Sequence, residues 1–274
     1  MRYWNKQLRM NRLMDQKSGK TVMVAMDHGQ GGVKPGLAHP EKLIRTIVEA
    51  KPDALLLSAG MARTYNYLFG HKDSPALVIS SDFILGSTVP QTPGAMEVLR
   101  QSISVEEAVR LGADAIKALL VFGNDSICAQ ADNQQYITRL AEECNKWNLP
   151  LIVEPTTWGS KLTAEKKRDV SLYADMARIA GEMGADMVKC DYMGTPEEYQ
   201  AVVDNCPVPV AILGGAKAEA AQVAKTIEDA LSCGVCGVVF GRNVWQSADP
   251  AATVKGLQAL TYHGDRDTFL KLCK

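Results

Sequence analysis

Residues Gly112–Gly123 read GADAIKALLVFG, Gly184–Gly194 read GADMVKCDYMG, and Gly234–Arg242, GVCGVVFGR, form a looser third copy. Each copy leaves a helix end through a glycine and enters a short apolar run, as where a helix hands over to a buried parallel strand. The echo marks equivalent βα units of one architecture. Lys117 and Lys189 hold the same place in two of the copies. If one points into the interior, so does the other.

Working outward, similar apolar runs read as strands at Thr21–Met26, Ala54–Leu57, Ala76–Ser80, Ala115–Val121, Leu151–Glu154, Met187–Cys190, Val210–Leu213 and Gly237–Phe240. They are too short for helices and are often bounded by Gly, Pro or Asp. Helical periods lie between them: Tyr136, Leu140, Cys144 and Trp147 share one face, as do Leu172, Met176, Ile179 and Met183, and Val223, Ile227, Ala230 and Leu231. Eight strands alternating with helices, with no linker-like stretch and no G-x-G-x-x-G after the first strand, predict a single (β/α)8 barrel spanning residues 1–274. Residues 1–20 are expected as an N-terminal extension packing on it. Two long connections, Gly86–Ile103 and Pro155–Asp169, fall at strand ends, where loops build or cover a barrel active site.

Bulk properties narrow the function classes. The chain has 274 residues, 46% hydrophobic and 22% charged, with a formal net charge of −1. That balance argues against nucleic acid or a membrane surface as the main partner. No stretch reaches the roughly 18 apolar residues of a membrane span. Charges run through the first twenty residues, unlike a signal peptide. The seven cysteines suit free thiols in a reducing cytoplasm. Cys233 and Cys236 form a lone C-x-x-C, read as a helix end entering a buried strand. His39, His71 and His263 lack metal-ligand spacing, so neither a metal nor another cofactor is expected.

Lysine in the middle of a strand is the first chemical anomaly, because desolvating an ammonium is costly. Lys189 stands where a barrel-filling Val or Ile belongs. It pairs with a carboxylate such as Asp191, or it attacks a carbonyl. A nucleophilic lysine must be uncharged part of the time. A second ammonium ~5 Å away, at an effective dielectric near ~20, opposes the charge by roughly 3 kcal/mol. Lys117 is the expected neighbour. Asp27 and Glu154 each close an apolar strand, where catalytic groups emerge, and can serve as acid–base groups or cap the next loop. His28 sits beside Asp27. Gly214 and Gly215 in ILGGAK, with Gly241 and Arg242 in VVFGRN, end the seventh and eighth strands, where a barrel binds phosphate. His28 is a weaker substrate-binding candidate, as are Ser58 and Ser81 at the ends of strands two and three.

With these stretches in place, the chain resembles the class I aldolases of the archaeal-type fructose-bisphosphate aldolase and autoinducer-processing thiolase group. GKTVMVAMDHG, ADMVKCDY, CPVPVAILGGAK and GRNVWQSADP carry the resemblance across nearly the whole length. It implies a TIM barrel, a Schiff-base lysine at Lys189, an acid–base aspartate at Asp27, and a phosphate site from Gly214, Gly215, Gly241 and Arg242. It also implies a small phosphorylated sugar as substrate and a homo-oligomer. Many members carry a proton-donating tyrosine in a Y-P-R-G-like stretch after strand five. Here that stretch reads EPTTWGS, with Thr156 in the tyrosine's place. DAIKALL and LIVEP instead look like tagatose-bisphosphate and sulfo-sugar aldolases, whose similarity gives site roles to Lys117 and to Glu154 as proton shuttle. Rival readings are a thiolase-like acyl transfer from a phosphorylated dione to coenzyme A, and a sugar-phosphate-binding barrel with little turnover.

Overall fold

The computed structural model describes residues 4–89, 92 and 94–273. Eight parallel strands close into a barrel: β1 (Thr21–Ala25), β2 (Ala54–Ser58), β3 (Ala76–Ser80), β6 (Ala115–Val121), β7 (Leu151–Thr156), β8 (Met187–Cys190), β9 (Val210–Leu213) and β10 (Gly237–Phe240). These match the eight expected runs to within two residues at either end. The fold is a (β/α)8 TIM barrel. Its strands are ringed by α2 (Pro40–Ala50), α3 (Ala59–Tyr65), α4 (Val105–Arg110), α5 (Ile127–Lys146), α6 (Val170–Glu182), α7 (Pro196–Asn205), α8 (Ala220–Ser232) and α10 (Pro250–His263). A short α9 (Arg242–Trp245) follows β10, and α11 (Arg266–Leu272) packs on α8 and α10.

Strand parity divides the core into two layers. Val22, Val24, Leu55, Leu57, Ile116, Ala118, Leu151, Val153, Val188 and Val238 face the helices in one large cluster. Met23, Ala25, Ala54, Leu56, Ala76, Val78, Ala115, Ile152, Met187, Ala211 and Val239 fill the barrel interior. Extending the inner parity one step toward the C-terminal end reaches Ser80, Lys117, Glu154 and Lys189. The packed apolar layer thus gives way to a charged one at the mouth. Gly237 is required where β10 meets β1: its φ is +144°, and a Cβ would stand 2.0 Å from the Thr21 carbonyl oxygen.

The opposite end is closed by the N-terminal segment. Leu13, fully buried, joins the interior cluster with Met10 and Met14 packed against it. Helix α1 (Trp4–Arg12) is tied down by Arg9 donating to the Ala113 carbonyl at 2.6 Å and by Lys6 pairing with Asp186 at 2.6 Å. The echoed aspartate explains itself here. Asp114 Oδ2 accepts from Leu77 N at 3.1 Å and Asp186 Oδ2 from Leu151 N at 2.8 Å, each stapling its strand to the preceding one. Asp53 does the same for Val22 N at 2.7 Å. The third copy has Cys236 at this place. Cys233 caps α8, and both cysteines are free thiols.

One feature was not expected. The Gly86–Ile103 connection contains a strand, β5 (Leu99–Gln101), that pairs antiparallel with β4 (Asp82–Ile84) just before it. This ribbon grows from the end of β3 and stands over the barrel mouth.

Candidate active site

A cavity of about 240 Å³ opens at the C-terminal mouth. Its floor is a chain of charges from three strands, β6, β7 and β8, and the turn after β1. Glu154 lies on β7, between β6 and β8 in the ring, so both echoed lysines reach it. Lys189 Nζ donates to Glu154 Oε2 at 2.9 Å, and Lys117 Nζ lies 3.0 Å from the same oxygen. Lys117 also lies 3.1 Å from Asp27 Oδ2, in the turn after β1. Lys117, Glu154 and Lys189 are buried and the Asp27 side chain is 13% exposed, yet each lines the cavity.

The electrostatics follow from that geometry. Burial opposes ionisation of Asp27, but Lys117 and then Lys189 outweigh it and hold the carboxyl well below its ordinary range. Glu154 is lowered in the same way, burial being overcome by Lys117 and Lys189. For Lys117 burial opposes the charge, while Glu154, Asp27 and Asp82 together raise its pKa. Lys117 is therefore a firmly held ammonium. This corrects the activation argument made from sequence: Lys117 is not a bare cation facing Lys189, because Glu154 sits between them. The partner of Lys189 is Glu154, not Asp191.

Two further acids line the cavity. Asp191, directly after β8, is pushed up to about 6 by burial, with Glu154 adding to the shift. Asp82, 1% exposed, is pushed up to about 7 by burial against the pull of Lys117. Its Oδ2 accepts from Leu119 N at 2.8 Å, standing in for a strand carbonyl beyond the end of β3; its Oδ1 has no partner. The Thr156 hydroxyl, at the end of β7, also lines the cavity without a partner. His28 packs edge-on to Trp245, and its Nδ1 is 3.5 Å from Asp27 without a hydrogen bond. Burial leads in lowering its pKa, so the ring is neutral near pH 7.

Across the mouth, Gly214, Gly215, Gly241 and Arg242 line the wall at the ends of β9 and β10. Nothing larger than hydrogen fits at two of these glycines. A Cβ on Gly214 would lie 2.7 Å from the Phe240 ring, and one on Gly241 2.7 Å from the Ala25 carbonyl oxygen. Arg242 carries a buried Nε with no partner. Asn243, not singled out from sequence, braces this wall: its Nδ2 donates to Gly214 O at 2.7 Å and its Oδ1 accepts from Ala218 N at 2.9 Å.

Two expected contacts fall away. Ser58 is the N-cap of α3, its hydroxyl accepting from Met61 N at 3.4 Å. Ser81 has the outward parity, its hydroxyl bonded to the Lys117 carbonyl at 3.0 Å and to Tyr136 at 2.7 Å. Neither lines the cavity. The cavity-lining serine of β3 is Ser80, one residue earlier, since a one-residue step reverses the face of a strand.

Comparison with known proteins agrees with this architecture. Residues 21–247 match the model of the DeoC/LacD family of aldolases. The chain belongs to that family. It is 30% identical to an uncharacterized aldolase of Saccharolobus solfataricus over 98% of both chains. It is 29% identical to the 3-hydroxy-5-phosphonooxypentane-2,4-dione thiolase of Escherichia coli, over 96% of this chain and 84% of that one. Among solved structures it superposes, with a TM-score of 0.80 and 28% identity, on an archaeal fructose-1,6-bisphosphate aldolase whose catalytic lysine is covalently bound to the carbinolamine intermediate of its substrate. That match covers 94% of this chain and 99% of the other. These relatives bear out the aldolase resemblance read from the sequence.

Proposed function

We propose that this family member makes or breaks a carbon–carbon bond in a phosphorylated ketose through a Schiff base on Lys189. The observation that carries the reading is Glu154, shared at 2.9 and 3.0 Å between a cavity-facing lysine and a second, fixed lysine.

Glu154 gives Lys189 a route for the proton it must shed before its amine attacks the C2 carbonyl. Attack gives a carbinolamine, and loss of water leaves an iminium. The cation draws electrons from the C3–C4 bond once a base takes the C4 hydroxyl proton, releasing an aldehyde and leaving an enamine. Glu154 is that base, and the timing is electrostatic. As electrons flow into the nitrogen, a positive charge beside Glu154 vanishes. At ~4 Å and an effective dielectric near ~20 that is worth about 4 kcal/mol. The carboxylate therefore gains proton affinity as the proton arrives, and returns it to the enamine carbon afterwards. Lys117 keeps its charge throughout and holds Glu154 and Asp27 in place. Asp27, on the far side of Lys117, assists formation and hydrolysis of the carbinolamine. Arg242 and the glycines beside it hold the phosphate, which presents one carbonyl to Lys189.

A panel of phosphorylated ketoses, assayed for aldehyde release, tests the reading. At least one is expected to be cleaved, and Glu154→Gln is expected to slow that cleavage by about 10²–10⁴-fold, the usual worth of a positioned acid–base group. Product that forms only when coenzyme A is present assigns acyl transfer instead.

A further inference from the structure

The cavity has two unlike walls. The ring order sets β9 and β10 across the mouth from β3 and β6. On the β9–β10 side stand the three glycines and Arg242. Facing them, from the loops after β3 and β7 and from β6 itself, are Ile84, Ser87, Leu119 and Trp158. Among the described residues lining the cavity, the cations are Lys117, Lys189 and Arg242, and the first two are tied to carboxylates on the floor. Between the walls lie four acids, Asp27, Asp82, Glu154 and Asp191.

The far wall is preformed. Glu97, 8% exposed, accepts from Ser160 N at 2.6 Å, from the Ser160 hydroxyl at 2.5 Å and from Asp125 N at 2.9 Å, joining the loops after β4, β6 and β7. Gly159 packs so tightly that a Cβ there would lie 2.0 Å from the Gly123 carbonyl carbon. Trp158 precedes this clasp. The cation on the same loop, Lys161, is turned outward to Asp125 at 2.6 Å with 65% of its side chain exposed.

We infer that the substrate carries a single phosphate, held at Arg242, and that its far half is uncharged and lies against Ile84, Leu119 and Trp158. The inference rests on the Schiff-base reading and adds the substrate's charge to it. A second phosphate against this wall loses its hydration, meets an indole and two aliphatic side chains, and faces the acids of the floor with no cation in return. Trp158 is thereby a specificity-determining residue, selecting monophosphorylated ketoses over bisphosphorylated ones.

Fructose 1-phosphate and fructose 1,6-bisphosphate differ only in the far phosphate, and borohydride trapping compares them without requiring turnover. The Lys189 amine adds to C2, water leaves, and hydride reduces the C=N bond to a secondary amine whose mass marks the residue. The expected result is trapping at least about tenfold more efficient with the monophosphate, a discrimination well within what one mismatched charged group imposes. Trp158→Arg, at a side chain 39% exposed, should move that ratio about tenfold toward the bisphosphate. Equal or better trapping of the bisphosphate by the wild-type protein, or a ratio unmoved in the variant, overturns the inference. Trapping of dihydroxyacetone phosphate on Lys189 checks the underlying reading separately. If that adduct forms and the sugar pair shows no preference, the inference alone falls; if no adduct forms with any of the three, both fall.

Discussion

The βα units at Gly112–Gly123 and Gly184–Gly194 begin alike and end differently. Both staple their strand with an aspartate at the bottom of the barrel, and both send a lysine into its mouth. Lys117 has carboxylates on two sides, Asp27 and Glu154. Lys189 has one, Glu154. Equivalent backbone positions thus hold one lysine between two carboxylates and leave its counterpart, equally buried, with one. The neighbours on β1 and β7, not the echoed strands themselves, divide the labour.

That difference sets opposite rankings for activity and stability. Lys189→Met should abolish turnover, by about 10⁴-fold or more as expected for loss of a covalent nucleophile. It should change the denaturation midpoint little, because Glu154 keeps Lys117 as a partner. Lys117→Met strands Asp27 and leaves Glu154 one cation short. Removing one side of a buried pair typically costs ~3–5 kcal/mol, which urea unfolding will read. The folded fraction of this variant should still form the Lys189 adduct. If the two substitutions destabilise the protein equally, the two lysines are interchangeable and the contrast is broken.

Much of this was legible in the sequence because the barrel repeats. Short apolar runs located all eight strands, and lysines within two of them flagged the mouth, since no packed interior accepts an ammonium without a reason. What stayed hidden depends on register and distance. Sequence points to Ser81 where Ser80 lines the cavity, because a run of five apolar or small residues locates the end of β3 without fixing which face each residue takes. Ser58 serves as a helix cap, the commonest use of serine at that place. Asp82 follows the apolar run that ends at Ser80 and carries no signal of its own in sequence; the folded chain bonds its carboxyl to Leu119 N. The β4–β5 ribbon is three residues per strand, too short for alternation to register. The pairing of Lys189 with Glu154 rather than Asp191 follows from strand order around the ring, which adjacency in sequence does not reveal.

Asp82 sharpens the comparison further, since it stands on the Lys117 side of the floor. An unfolded aspartate releases its proton near pH ~3.9, whereas the folded Asp82 keeps its own to about 7. Protons bind the folded state more tightly, so this group's contribution to stability is greatest at low pH and is lost as pH rises from about 4 to about 7. Asp82→Asn keeps an oxygen for Leu119 N and removes the titration. The stability difference between variant and wild type should shift in the variant's favour across that window, by on the order of 4 kcal/mol. A pH-independent difference contradicts a buried neutral acid at this position.

The smallest effects belong where the two units are alike. Asp114→Ala and Asp186→Ala each leave one strand N–H at the barrel bottom without its acceptor, at a cost of about 1–3 kcal/mol by denaturant unfolding. Catalysis per folded molecule should be unchanged in both, because the site lies at the opposite end of the barrel. A loss of kcat in either variant would mean that the bottom staples also set the geometry of the mouth.

The central claim is that Lys189 alone bonds covalently to the substrate carbonyl. Borohydride reduction in the presence of dihydroxyacetone phosphate, followed by peptide mass mapping, reads it directly. The account predicts one reduced adduct on the peptide carrying Lys189, present in the wild type and in folded Lys117→Met and absent from Lys189→Met. An adduct on Lys117, or one that survives in Lys189→Met, contradicts it.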